Sequence, residues 1–191
     1  MPARKERFYT PEEYLALEEQ AEYKSEYHQG QIVAMASESL NHNRVAGNVC
    51  HALTNVFAEG ACETFIGDVR LWIERKKIYT YPDVMVVCGE PEFLEGRSDT
   101  IINPKVILEV LSKSTAMYDR SDKFHAYWSL DSFEEYVLID QYRVHVEYFR
   151  RVDEKMWELR VLTSINEVLE LKSVAVKIPL SKIYRNVKWE E

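Results

Sequence analysis

The run Val106-Ile107-Leu108-Glu109-Val110-Leu111 constrains this chain more than any other segment, because every residue in it but one belongs in a hydrophobic interior. A second run, residues 84–87, is apolar without interruption. Strands of this kind are buried on both faces, so they belong in the middle of a sheet that carries other elements on each side. The exception, Glu109, puts a carboxylate where an ionised group is costly unless it is paired or holds a metal. A glutamate near a strand end that reaches solvent or pairs with an arginine is the competing explanation.

Around these runs, helix and strand signals alternate. Thr10-Pro11-Glu12-Glu13 is a helix start, with Thr10 as N-cap, Pro11 at the first helical position and Glu13 placed to close a capping box, and the helix should run to about Ala21. Gly30 marks a tight turn between Tyr27 and a strand over residues 31–36. From Ser39, a cap by residue type, to Phe57, the apolar residues Val45, Val49, Leu53 and Val56 recur at helical spacing. Residues 64–73 and 78–87 read as two strands joined across Lys76-Lys77, and residues 105–111 as another. A helix over 114–130 and an apolar strand over 135–140 follow, then strands over 143–150, 156–163 and 174–178. Helices set among apolar strands predict an α/β class with a mixed sheet. The closing segment carries Tyr184 and Trp189 at positions suited to docking, so it should pack.

A chain of 191 residues without a repeat or a linker-like stretch fits one domain, which at this size buries about 70% of its unfolded surface. The cysteines Cys50, Cys62 and Cys88 are odd in number and never spaced as CxxC, so neither a disulfide framework nor a thiolate zinc site is expected. They read as buried or inert thiols in a reducing compartment. The basic residues near the N-terminus precede no apolar stretch, and no segment approaches the roughly 18 apolar residues of a membrane span. The expectation is a soluble, cytoplasmic protein without a membrane partner. A formal charge of -8 weighs against a broad electrostatic footprint for nucleic acid. Net charge ignores distribution, however, and a divalent ion offsets two carboxylates where phosphate would sit.

Asp83 follows Pro82 at the start of the second apolar run, so two buried strands each carry one acid near an end. If the strands are neighbours, the acids can share an ion. Magnesium and manganese take carboxylate, water and phosphate oxygens, which suits this pair better than any His or Cys arrangement in the chain. A Pro-Asp turn before a strand is the competing explanation for Asp83. On the helix after the Glu109 strand, Lys123 has Asp119 one turn before it and Tyr127 one turn after, with Phe124 and Trp128 facing the core and Lys123 at its margin. A lysine there could stabilise charge on a phosphoryl transition state or orient the attacking water. An ordinary Asp119 to Lys123 helix pair explains the same spacing. Glu26, beside the expected hairpin, and His42, in the first turn of the long helix, complete the candidate set; a solvated strand end and a packed histidine are their competing explanations.

Taken together, PDVMVV (82–87), VILEVLSKST (106–115) and D-x-x-x-K-x-x-x-Y (119–127) resemble the Uma-two family of bacterial candidate endonucleases, a branch of the PD-(D/E)XK restriction-endonuclease-like superfamily. The resemblance extends to E-x-x-x-G (26–30), the His42 helix start and EEYVLID (134–140), and covers most of residues 8–145. It implies a restriction-endonuclease-like mixed β-sheet flanked by α-helices, with Asp83 and Glu109 as metal ligands at the open end of a central strand pair. Leu111 stands where the general superfamily motif has its lysine; in this branch a lysine on the following helix takes that place, which nominates Lys123. Lys113, in Ser-Lys-Ser-Thr where the family often has Ser-Pro-Ser-Thr, is the nearer substitute.

The leading expectation is a metal-dependent endonuclease in which Asp83 and Glu109 hold Mg2+ or Mn2+ and Lys123 stabilises developing charge on phosphorus. Glu26 would be an additional ligand or water-orienting group, and His42 would support the ligands or touch phosphate. Nucleic acid is the expected partner, with DNA favoured over RNA, and a homodimer is a candidate assembly. A nuclease-like fold kept as a binding or assembly module without hydrolysis is the alternative. A glycosidase using Asp83 and Glu109 as acid and base would need a sugar pocket that the aromatic residues, mostly at core spacing, do not suggest.

Overall fold

The computed structural model describes residues 7–35, 37–58 and 60–189. Helix α1 (Pro11–Glu18) starts with the anticipated capping box: Thr10 Oγ1 accepts from the Glu13 amide at 3.2 Å, and the Glu13 carboxylate accepts from the Thr10 amide at 2.9 Å. Strands β1 (Ser25–His28) and β2 (Gln31–Ala34) form a hairpin across Gln29 and Gly30, both at positive φ, 50° and 104°. That is the backbone a two-residue hairpin turn demands. Ala36, the expected end of the second strand, lies outside the described residues. Helix α2 (Leu40–Phe57) is capped by Ser39, whose hydroxyl accepts from the His42 amide at 3.1 Å.

The two long strands expected at 64–73 and 78–87 each divide. β3 (Cys62–Ile66) and β6 (Val84–Cys88) pair in one sheet, whereas β4 (Arg70–Ile73) and β5 (Ile78–Thr80) pair in another. The chain changes sheet at Gly67, at φ 55°, and again around Pro82, which has no amide hydrogen to give a ladder. After β7 (Thr100–Ile101) and β8 (Val106–Leu111) comes a helical segment made of α3 (Ala116–Tyr118), a π-helical turn (Asp119–Lys123) and α4 (Phe124–Trp128). Strands β9 (Glu135–Asp140), β10 (Val146–Arg151) and β11 (Trp157–Leu162) complete the larger sheet. A small hairpin, β12 (Val168–Leu171) with β13 (Val176–Pro179), and the short helix α5 (Leu180–Ile183) end the fold. β12 had no sequence signal, its four residues being too few to show alternation.

The larger sheet runs β11-β10-β9-β8-β6-β3 and is mixed, because β8 and β9 are parallel across the helical crossover while the other pairs are antiparallel. The smaller sheet runs β2-β1-β5-β4-β7. One face of β8, with Leu108 and Val110, packs on Val45, Val49 and Leu53 of α2 and on the C-terminal hairpin. The other face, with Ile107 and Leu111, meets Tyr127 of α4 and Leu71 and Ile73 of the smaller sheet. Each such Val, Leu or Ile contributes about 1.5–3 kcal/mol by its burial, and both faces of β8 draw on it. The C-terminal segment packs as expected, with Tyr184 buried and its ring 5.6 Å from that of Trp189.

The expectation of three free thiols is overturned. Cys62 and Cys88 face each other directly across β3 and β6 and are joined in a disulfide, leaving Cys50 free. Their separation along the chain carries no hint of this, because the pairing is created by strand register. Among the described residues no helix is long and apolar enough to cross a membrane.

Candidate active site

Asp83 and Glu109 meet because β6 and β8 are antiparallel neighbours in which Val84 pairs with Leu108. One step further along, Asp83, just before β6, lies opposite Glu109 within β8, and each side chain accepts from a backbone amide of the other's strand segment. The Val110 amide donates to Asp83 Oδ2 at 2.7 Å, and the Asp83 amide donates to Glu109 Oε2 at 3.4 Å. From the opposite side of the sheet, α2 brings His42 Nε2 to 3.1 Å from Asp83 Oδ2 and 3.4 Å from the Glu38 carboxylate. Asp83 and Glu109 both line a cleft of about 1050 Å³, and among the described residues Asp83 Oδ1 accepts no protein hydrogen bond.

Glu109 lies on the face of β8 that points at the crossover helix, and this fixes its partners. Lys123 Nζ is 2.7 Å from Glu109 Oε1, and the Tyr127 hydroxyl donates to the same oxygen at 2.6 Å. The sequence placed Lys123 at the core margin; it is buried at 7% exposure instead. The physical cause is the π-helical turn, which adds a residue to the helix, and whose Asp119 carbonyl is taken up by the Tyr136 hydroxyl at 3.1 Å. The Asp119 to Lys123 contact exists too, at 3.7 Å, but the shorter bond is to Glu109.

Glu26 enters from β1, with its Oε1 accepting from the Thr80 hydroxyl and, at 3.4 Å, from the Tyr81 amide. Lys123 Nζ is 3.9 Å away, and His28 Nε2 is 3.0 Å from Glu26 Oε2. The other ring nitrogen of His28 lies 3.1 Å from the Tyr118 hydroxyl on the cleft wall.

Burial governs the charges here. It pushes the Glu109 carboxyl up, to about 8, with the neighbouring Asp83 adding to the rise and Lys123 opposing it. Burial also works against the Lys123 ammonium, but Glu109, Glu26 and Asp119 outweigh it and keep that lysine protonated. Desolvation of Glu26 is outweighed in turn by Lys123 and by hydrogen bonds from His28 and Thr80, which hold its carboxyl down at about 2. A carboxylate forced up by burial beside a second carboxylate is a site whose charge a cation would balance. Among the described residues no group of three or more His, Cys, Asp or Glu side chains is placed to hold a metal ion together. Asp83 and Glu109 alone would leave most of an octahedral shell to water and substrate, which is the habit of magnesium. The donor set therefore fits a hard divalent cation.

Residues 11–181 match the family Uma2, described as "Putative restriction endonuclease". The chain belongs to the Uma2 family. "Uncharacterized protein sll1609" of Synechocystis sp. is 40% identical over 167 residues, covering 87% of this chain and 94% of that protein. "Uncharacterized protein slr1290" of the same organism is 33% identical over 178 residues, covering 93% and 92%. A crystal structure described as "a putative nuclease belonging to DUF820 from Anabaena variabilis" superposes with a TM-score of 0.75 at 18% identity, over 92% of this chain and 97% of that one. The shared feature is the fold, an α/β arrangement of mixed sheets flanked by few helices.

In this Uma2 chain Asp83, Glu109, Lys123, Glu26 and His42 all converge on one cleft. Lys113 also borders it, but its ammonium sits over the Tyr142 ring at 5.3 Å, away from the carboxylates. Sequence patterns passed over Glu38, His28 and Tyr118. His28 shares a strand face with Glu26 and could have been found from that alternation; Tyr118 and Glu38 reach the cleft through the crossover helix and the β2 to α2 loop, for which the sequence holds no signal.

Proposed function

We propose that this Uma2 chain is a nuclease that hydrolyses phosphodiester bonds with Mg2+ or Mn2+ at Asp83 and Glu109, and that DNA is its substrate in preference to RNA. The observation that carries this reading is the pairing of Glu109 with both Asp83 and a buried, protonated Lys123 in an open cleft. When bound, the cation neutralises charge on the phosphate and acidifies the attacking water. Asp83 is held in one orientation by the Val110 amide and His42, so its free oxygen points without rotamer cost. Lys123 places positive charge where it grows negative on phosphorus, and Glu26 with Asp119 keeps that lysine protonated and aimed. His42 orients Asp83 rather than moving a proton.

The test is cleavage of single-stranded DNA, duplex DNA and RNA with Mg2+ or Mn2+, for the wild type, Asp83→Ala and Glu109→Ala. Cleavage lost in both variants with unchanged circular dichroism is expected; an unchanged rate in either variant sinks the assignment.

A second reading, a binding module without hydrolysis, draws on one observation: carboxylates outnumber ammonium groups around the cleft. Calorimetric titration of Mn2+ separates the two, since a pure scaffold has no need of a cation at Asp83 and Glu109.

A further inference from the structure

Strand β11 is an edge of the larger sheet, with β10 as its only strand neighbour among the described residues. Edge strands expose unpaired amides and carbonyls, and proteins that stay monomeric blunt them with proline, bulges, short length, a covering element or charged side chains, lysine above all; the two charges of β11, Glu158 and Arg160, are of opposite sign. The sequence Trp157-Glu158-Leu159-Arg160-Val161-Leu162 has no proline and no lysine, and its register with β10 runs from Arg151↔Trp157 to Val146↔Leu162 without a bulge. Its side chains separate cleanly by alternation. Trp157, Leu159 and Val161 lie on one face, where Leu159 is 51% and Val161 48% exposed; Glu158 and Arg160 lie on the other, together with Leu162, which is buried in the core.

We propose that two copies of this chain associate through β11, antiparallel about a two-fold axis at Leu159, so that the larger sheets become one sheet across both copies. The partner is thus a second copy of the same strand, and its register follows from the sequence. Sliding by an odd number of residues would set the apolar face of one copy beside the charged face of the other, so only even shifts keep Leu159 and Val161 covered. Of the even registers, a centre at Glu158 puts Glu158 against its own copy, and a centre at Arg160 puts Arg160 against its own copy. Like charges directly opposite are destabilising. The centre at Leu159 sets Glu158 of each copy opposite Arg160 of the other, Trp157 opposite Val161, and Leu159 opposite Leu159. Among the registers that pair most of the strand, it is complementary to itself in this one, the condition a two-fold interface imposes. A single strand edge is a small interface, so the dimer should be concentration-dependent. The inference does not rest on the nuclease reading, because β11 contributes no residue to the cleft.

Sedimentation velocity of the full chain across the micromolar range is the first experiment, with Arg160→Glu beside the wild type. A wild type that dimerises and an Arg160→Glu variant that stays monomeric with an unchanged melting curve are expected. A wild type that is monomeric throughout, or a dimer that survives Arg160→Glu, overturns the proposal. The register is tested separately in a Cys50→Ser background. Under mild oxidation Leu159→Cys should form a reducible covalent dimer, since residues opposite one another across antiparallel strands lie within disulfide reach. Val161→Cys, whose copy would lie several residues away, should not. Equal cross-linking of both, or none at Leu159→Cys, overturns this register.

Discussion

Lys123 Nζ lies 2.7 Å from Glu109 Oε1 with both groups buried, so the Lys123 ammonium opposes the rise that burial forces on the Glu109 carboxyl, and the two are a full ion pair only above about pH 8. Removing one partner from such a pair costs about 3–5 kcal/mol, whereas replacing both by neutral groups of similar size is often tolerated. Lys123→Met should therefore destabilise the fold by about 3 kcal/mol or more in urea unfolding at about pH 9, where Glu109 is ionised in the wild type, and by less at neutral pH, where that carboxyl holds a proton. The double variant Lys123→Met/Glu109→Gln should recover most of that loss. A double variant as unstable as Lys123→Met alone would mean that the lysine acts through packing.

The two candidate lysines separate by position. Lys123 touches Glu109, while Lys113 is exposed and sits over the Tyr142 ring. Lys123→Ala should lower the cleavage rate by about 100-fold or more, the usual cost of losing a preorganised charge at the reacting group. Lys113→Ala should leave it within a few-fold. Equal losses would show that the cleft rearranges around substrate.

The central strands and the acid pair were legible for one reason: a carboxylate inside an apolar run is so costly that it announces itself, and Val84 pairing with Leu108 then brings Asp83 to Glu109. The capping residues Thr10 and Ser39 were legible because a cap is local chemistry. What the sequence withheld is set by long-range geometry. The expected single strands at 64–73 and 78–87 ignore the switch between sheets at Gly67 and Pro82, since both halves of each are equally strand-like. The depth of Lys123 depends on a π-helical turn, and helical spacing alone assumes a regular helix.

Glu26 should control acid stability. Its carboxyl is held at about 2 in the fold, below its ordinary 4.5, so folding favours the ionised form. The resulting stabilisation is complete above about pH 4.5 and disappears as the pH falls toward 2. It is on the order of 3 kcal/mol for a buried group shifted this far. Glu26→Gln should lower neutral-pH stability by about that amount and flatten the dependence between pH 4.5 and 2, measured by urea midpoints along the pH series. Parallel curves for the two proteins would remove Glu26 from the account.

The Cys62 to Cys88 link joins an edge strand to its neighbour and closes a loop whose ends are 26 residues apart. Closing a loop of this length restricts the unfolded chain by an amount worth about 3–4 kcal/mol in the chain-entropy treatment. Two measurements follow. Denatured but unreduced protein should show one reactive thiol, Cys50, and all three cysteines only after reduction. Cys62→Ser should then lower the melting temperature of the oxidised protein to nearly that of the reduced wild type, because β3 keeps its ladder with β6 and loses only the link. Three reactive thiols before reduction would mean that the register alone holds the two sulfurs together, and Cys62→Ser would then cost only a small side-chain change.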